Sequence, residues 1–124
     1  MNSEVTLSKG QALFKQGDEA ERMYVIRSGK IQLIKTKMGQ SVVLGYFGTG
    51  EFLGEMAIIT GSTRSCTAIA AEDTVLKIYE RERFEEMLAN NSGVAARIIE
   101  GLAVRLEKTT ERLMEPVTLL EAES

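Results

Sequence analysis

The sequence predicts a mainly β domain, an antiparallel jelly-roll β-barrel followed by a short helix and a long C-terminal helix. Nine glycines between positions 10 and 61 separate short apolar runs, a spacing typical of strands and turns. Several runs alternate in polarity, as where Ile31 and Leu33 are interleaved with Lys30 and Gln32. Beyond Tyr79 glycine becomes sparse and apolar residues recur every three or four positions, which indicates helix.

Seven strands are predicted from these short apolar runs. They lie near Val5 to Leu7, Ala12 to Lys15, Arg22 to Arg27, Lys30 to Lys37, Ser41 to Phe47, Cys66 to Ala70 and Thr74 to Tyr79. The segments Arg27 to Lys30 and Met38 to Gln40 have the composition of hairpin connections, so the implied order is an antiparallel meander. This many short strands is typical of a sandwich or barrel of jelly-roll type.

Two helices are predicted, from Glu80 to Leu88 and from Gly93 to Met114, before Pro116 disfavours helix at Glu115. The longer helix carries an apolar stripe that predicts core packing, part of which can pair with a second copy in a homodimer. Its members are Val94, Ile98, Leu102, Leu106, Thr109 and Leu113. At 124 residues, we expect a single domain, 1–124, with the barrel at about 4–79, helices at about 80–114 and an acidic tail at 115–124.

The composition argues against several functional classes. A formal charge of −3 and a pI near 5.1 give no electrostatic reason to bind nucleic acid directly. No apolar stretch is long enough to cross a membrane, and the N-terminus lacks the layout of a signal peptide. The lone cysteine, Cys66, cannot form an internal disulfide. We therefore expect a cytoplasmic protein with no membrane contact.

The chain contains no histidine, which removes the central residue of most hydrolases and of histidine-based metal or haem sites. We therefore expect no enzymatic activity, no catalytic residues, no metal site and no cofactor. A metal-dependent enzyme on a cupin-like jelly roll has a similar strand pattern, but such sites need histidine ligands.

One segment, residues 50–68, has the residues of an anion-binding site. Gly54 permits a close backbone approach, and the peptide N–H groups of Met56 and Ala57 that follow it would begin a helical turn without internal partners. The guanidinium of Arg64 can hold two phosphate oxygens, and Ser65 adds a hydroxyl or its own N–H. Together these groups predict a phosphate site.

Glu55 would repel a phosphate unless its own partner is a neutral hydroxyl and Arg64 lies close enough to offset its charge. A ribose 2′-hydroxyl meets that condition. A 3′,5′-cyclic nucleotide presents a singly charged phosphate and a free 2′-hydroxyl side by side. The other interpretation of Glu55 and Arg64 is an ion pair that supports a loop.

The sequence resembles the cyclic-nucleotide-binding domain family of catabolite activator proteins, kinase regulatory subunits and gated ion channels. The likeness covers roughly residues 4 to 114. It rests on Leu13-Phe14-Lys15-Gln16-Gly17-Asp18, on Met23-Tyr24-Val25-Ile26-Arg27-Ser28-Gly29, and on Gly54-Glu55-Met56-Ala57 with Arg64-Ser65. Two mild departures are Leu53, where Phe is commoner, and Cys66, where Ala is usual.

The resemblance implies roles for individual residues. Glu55, with Gly54, would bind the ribose, Arg64 the cyclic phosphate, and the backbone around Met56, Ala57 and Ser65 would complete the cradle. The long helix would close over the base as a lid. Thr109 and Thr110 fall where hydroxyls can touch the purine edge, or they are ordinary polar helix residues.

The resemblance implies a regulatory sensor of cAMP or cGMP, and the choice between the two stays open, although Ser65 rather than Thr favours cAMP. The alternative is a barrel that has lost nucleotide affinity and serves as a dimerisation or interaction domain. The presence of both Glu55 and Arg64 argues against that alternative.

Overall fold

The structure, a computed structural model, describes residues 3–113, in which eight strands form two separate four-stranded antiparallel sheets. The strands are β1 (Glu4–Leu7), β2 (Ala12–Phe14), β3 (Arg22–Ser28), β4 (Lys30–Lys37), β5 (Gln40–Gly48), β6 (Phe52–Leu53), β7 (Thr67–Ala70) and β8 (Thr74–Glu80). One sheet has the order β1-β8-β3-β6 and the other the order β2-β7-β4-β5. The mainly β prediction is confirmed, whereas closure into a barrel stays a prediction.

Three helices complete the described chain: α1 (Glu55–Thr60), α2 (Arg81–Asn90) and α3 (Ser92–Leu113). The first follows β6 directly, and the other two follow β8, as the change in periodicity after Tyr79 predicts. In the described part of the chain, no helix combines the length and the apolar character that a membrane crossing requires. The predicted acidic tail, 115–124, lies outside the described residues.

The strand order is not the predicted meander. Of the six strand pairs, only β4 with β5 joins strands that are adjacent in sequence. The hairpin predicted at Met38 to Gln40 is confirmed: Met38 and Gly39 both have positive φ, as a two-residue type I′ connection requires. The hairpin predicted at Arg27 to Lys30 is wrong, because the chain there passes from one sheet to the other.

Two hydrophobic clusters hold these layers together. The first lies between the sheets and takes buried residues from both, among them Phe14, Ile26, Ile31 and Leu76. The second packs the three helices against β3 and is built from Ala20, Met23, Ile58, Phe84 and Ile98. Because α1 belongs to the second cluster, its N-terminus is anchored beside the sheets.

The apolar stripe of α3 is buried in its first half only. Val94, Ile98 and Leu102 join the second cluster, whereas Leu106 is 68% exposed and Thr109 is also exposed. The predicted core packing is therefore confirmed for the first half of the stripe, whereas pairing of the exposed part with a second copy stays a prediction, because the C-terminal half of the helix extends past the cluster. The side chain of Leu113 lies outside the described part.

Gly29, at the crossover between the sheets, packs against the end of a neighbouring loop. A Cβ added there would lie 2.4 Å from Oγ1 of Thr74 and 2.6 Å from the carbonyl oxygen of Asp73. Thr74 is fully buried and exchanges hydrogen bonds with the backbone of Lys30. The position therefore needs a residue without a side chain.

We expect Gly29→Ala to lower the free energy of unfolding by about 2–4 kcal/mol, from strain at positive φ plus overpacking. Gly10→Ala is the matched control, since Gly10 has a similar positive φ but an added Cβ there would meet no atom within 4 Å. Urea denaturation measures both. Equal losses in the two variants would contradict the close packing at Gly29.

Candidate functional site

The predicted anion-binding segment forms the junction between β6 and α1. Gly54 caps the helix in the left-handed conformation, with φ of 86°, and no side chain caps the first turn. A Cβ on Gly54 would lie 2.6 Å from Nη1 of Arg64. Glycine is therefore required here both for the turn and for the approach of the guanidinium.

All six residues predicted for the phosphate and ribose line one small hollow of about 110 Å³. They are Gly54, Glu55, Met56, Ala57, Arg64 and Ser65. The remaining wall comes from four β-strand residues, one loop residue and one helical residue, namely Phe14, Leu33, Phe47, Leu53, Cys66 and Arg105. The sequence pattern therefore identified residues that the fold brings together.

Glu55 is the buried acid of this hollow, at 2% exposure. Its Oε1 accepts a hydrogen bond of 2.7 Å from Nη1 of Arg105, and its Oε2 has no hydrogen-bond partner among the described residues. A buried carboxylate oxygen without a partner is costly. Glu55, in the wall of the hollow, therefore keeps one hydrogen-bond acceptor, Oε2, without a partner.

Arg64 is equally buried, at 4% exposure. Its Nη1 donates to the carbonyl oxygen of Gly54 at 2.6 Å, and its Nη2 donates to that of Arg22. Burial lowers the pKa of Arg64, opposed first by the nearby Tyr24. A guanidinium has five N–H groups, and these two bonds use two of them. One of the three that remain is Nε–H, which has no partner among the described residues.

The ion partner of Glu55 in the described chain is Arg105, not Arg64, so the interpretation of Glu55 and Arg64 as a direct ion pair is wrong, although the two charges are near enough to attract each other. The reason is that Arg64 points its outer nitrogens at backbone carbonyls. Arg105 comes from α3, donates from Nη2 to the carbonyl of Phe52 at 2.6 Å, and places its Cζ 4.2 Å from the ring centroid of Phe47. Arg105 therefore connects helix α3 to the buried Glu55 and to strand β6.

Sequence reasoning missed Arg105. The available signal was its spacing, since it lies four residues before Thr109 and therefore on the same face of α3. No local motif marks it, because its partner Glu55 is 50 residues away in sequence.

The two residues that follow Arg64, Ser65 and Cys66, differ in exposure. Ser65 is exposed, and its carbonyl accepts a hydrogen bond of 2.9 Å from Nζ of Lys35. Cys66 is buried, and burial raises the pKa of its thiol, which keeps the group protonated. Cys66 therefore forms part of the wall of the hollow and has no sign of a reactive thiolate.

A larger cavity of about 660 Å³ adjoins the hollow, between β5 and α3. The two spaces share Phe47, Glu55 and Arg105 as lining residues. Thr109 lines this cavity and Thr110 does not, and both hydroxyls donate to the carbonyl four residues earlier. The larger volume falls in the range of about 300–1,000 Å³ that is typical of small-molecule pockets.

Within residues 3–113, no cluster of three or more acidic or cysteine side chains has the arrangement to hold a metal ion. What the described residues of the two spaces do offer is a buried acceptor, uncommitted guanidinium donors and an adjoining cavity.

The chain is similar to known proteins in both sequence and fold. The sequence pattern of the cyclic nucleotide-binding domain matches residues 4–91. The cyclic AMP receptor protein of Thermus thermophilus is 36% identical over 101 residues, which is 81% of this chain and 47% of that protein. The solved structure of the T. thermophilus catabolite activator protein superposes with a TM-score of 0.79 at 33% identity, over 90% of this chain and 53% of that one.

The lysophospholipase nte1 of Aspergillus fumigatus is 31% identical over 115 residues, which is 92% of this chain but only 7% of that protein. The chain therefore spans about half, or far less, of these relatives. It belongs to the cyclic nucleotide-binding domain family. Domains of this family are typically regulatory, not catalytic, and the likeness to nte1 is confined to that enzyme's regulatory region.

We expect Arg105→Met to lower the free energy of unfolding by about 1–3 kcal/mol, because it strips a buried carboxylate of its ion partner, with some compensation from solvent. The double variant Glu55→Gln/Arg105→Met should recover much of that loss. Chemical denaturation of both proteins in the absence of ligand measures the difference. Additive losses would contradict a direct energetic link between α3 and Glu55.

Proposed function

We propose that this chain is a regulatory sensor domain that binds a 3′,5′-cyclic nucleotide, cAMP or cGMP, in the hollow beside α1. The observation that carries the proposal is the unpartnered Oε2 of Glu55, buried at the wall of a space that also receives Arg64. A neutral hydroxyl donor satisfies that oxygen without adding charge. A ribose 2′-hydroxyl supplies one.

The cyclic phosphate is proposed to bind beside it. Arg64 offers its three uncommitted N–H groups, and its charge suits a monoanionic ester in a buried setting. The amides of Met56 and Ala57 and the hydroxyl or amide of Ser65 complete the cradle. Because Arg64 is already held by two carbonyls, the ligand meets a guanidinium that is fixed in place.

The base is proposed to enter the larger cavity between β5 and α3. The small hollow alone cannot hold a nucleotide, whereas the adjoining space has a volume of about 660 Å³. Thr109 lines it, and Thr110 lies one residue beyond on the helix. In this proposal α3 acts as the lid, and ligand contact with Glu55 is passed to α3 through Arg105.

The finer features of the fold belong to the same proposal. We infer that the two sheets form a jelly roll, because their orders are those of two nested Greek keys. We further propose that 1–124 acts as one nucleotide-binding unit whose output lies in partner elements, and that it works in the cytoplasm. The chain's short coverage of its relatives supports a role as a module.

A second candidate function, dimerisation, is favoured by α3. Ile99 and Leu106 are 66% and 68% exposed and lie seven residues apart, with Val104 also exposed. A spacing of seven residues places both side chains on one face of a helix. We propose that a second copy of the chain pairs with this face, alongside nucleotide binding.

We expect cAMP or cGMP to bind by titration calorimetry and to raise the melting temperature, since ligand at 100 times Kd adds about 2.7 kcal/mol. A linear 5′-monophosphate should bind far more weakly, because its dianionic phosphate is not tied back to the sugar. Arg64→Gln should cost about 100-fold in affinity or more, and Glu55→Gln about 10-fold.

Arg83→Gln is the matched control, since Arg83 lies on α2 with its side chain 62% exposed. It should bind as the wild type does. Flat titrations with every cyclic nucleotide would refute the sensor role and leave dimerisation as the function. Equal losses for the Arg64 and Glu55 variants would contradict the assignment of Arg64 to the charged group.

For dimerisation, we expect sedimentation equilibrium to give twice the monomer mass for the wild type and a shift toward monomer for Leu106→Glu. Because Leu106 is exposed in the single chain, the substitution should not lower the melting temperature of the monomer. A monomeric wild type at high concentration would overturn this part of the proposal.

A further inference from the structure

We propose that Phe14 is a positioning residue for the phosphate site, holding the Arg64 guanidinium by its ring face so that the guanidinium edge stays free for the ligand. The inference rests on the proposed function, because it concerns the same site. It assigns to an aromatic residue of the first hydrophobic cluster a role beyond core packing.

The geometry places Phe14 directly against Arg64. The Cζ atom of Arg64 lies 4.3 Å from the centroid of the Phe14 ring, well inside the roughly 6 Å range of cation–π contacts. Phe14 is 9% exposed and itself lines the small hollow. The ring of Tyr24 stacks on that of Phe14 with centroids 6.2 Å apart, which limits movement of the Phe14 ring.

The backbone fixes the two residues relative to each other. Phe14 ends β2 and is in register with Ala68 of β7, the strand that follows Arg64. The N–H of Gly17 donates to the carbonyl of Arg64 at 2.8 Å, and the N–H of Arg64 donates to the carbonyl of Asp18 at 2.8 Å. The ring and the guanidinium therefore approach each other from two segments that are hydrogen-bonded together.

The chemistry explains why an aromatic ring suits this position. Burial disfavours the charged form of Arg64, as the direction of its pKa shift indicates, so the cation needs stabilisation. A carboxylate partner would occupy the N–H groups that the phosphate requires. The negative face of a ring stabilises the cation without using any N–H group, because all five lie in the plane of the guanidinium.

The direct test is Phe14→Leu, which keeps an apolar side chain but removes the ring. We expect it to weaken cyclic-nucleotide affinity by about 3- to 30-fold, the range of a partly to fully desolvated cation–π contact. Phe14→Tyr keeps the ring and should bind within about twofold of the wild type. Titration calorimetry, using whichever of cAMP and cGMP the wild type binds more tightly, measures all three proteins.

Phe84→Leu is the matched control for lost packing. Phe84 is fully buried in the second cluster, so the same substitution should lower stability without changing affinity. In an Arg64→Gln background, Phe14→Leu should cause no further loss of affinity. An affinity unchanged in Phe14→Leu, an equal loss in Phe84→Leu, or a loss that persists without Arg64 would each overturn the proposal.

A ligand-free measurement separates this proposal from the function on which it rests. The Nε–H of Arg64, assigned in a ¹H–¹⁵N spectrum by its disappearance in Arg64→Gln, should shift in Phe14→Leu and stay near its wild-type position in Phe14→Tyr. An Nε–H signal that does not move in Phe14→Leu overturns the positioning role. Failure of the wild type to bind any cyclic nucleotide overturns the proposed function instead.

Discussion

The arrangement of the site depends on one buried carboxylate. Glu55 lies at the start of α1, where both sheets and the C-terminal helix converge, and it is tied to α3 through Arg105. A charge in this position is tolerable only if both of its oxygens are satisfied. One oxygen has a protein partner and the other has none among the described residues, so a residue in the wall of the hollow keeps an unsatisfied hydrogen-bond acceptor.

Arg64 presents the complementary situation. Its backbone and both of its outer nitrogens are hydrogen-bonded and its Cζ lies over the Phe14 ring, so three separate segments of the chain hold it. This immobility gives the remaining N–H groups a fixed direction. A cation and an anion buried near each other without forming a direct pair can each serve a different part of one small molecule. That division fits a sugar phosphate better than it fits a structural ion pair.

Local patterns in the sequence predicted most of the elements and the composition of the hollow. Short apolar runs between glycines, several of them alternating, located seven strands, and the run from Gly54 to Ala57 with Arg64 and Ser65 identified six lining residues. The errors concern information that local patterns do not carry. Strand β6 is too short to show alternation, strand order depends on distant pairing, and Arg105 and Phe14 reach the site only through tertiary packing.

Gly54 has a further consequence for how this site could change over time. Any side chain at that position would intrude on the Arg64 guanidinium, while the strands and both hydrophobic clusters would keep their own contacts. A single-codon replacement is therefore enough to disturb the proposed nucleotide site while the scaffold keeps its fold. A domain of this fold can therefore lose its response to a nucleotide while it keeps its charged residues, if a residue with a side chain replaces the glycine next to them.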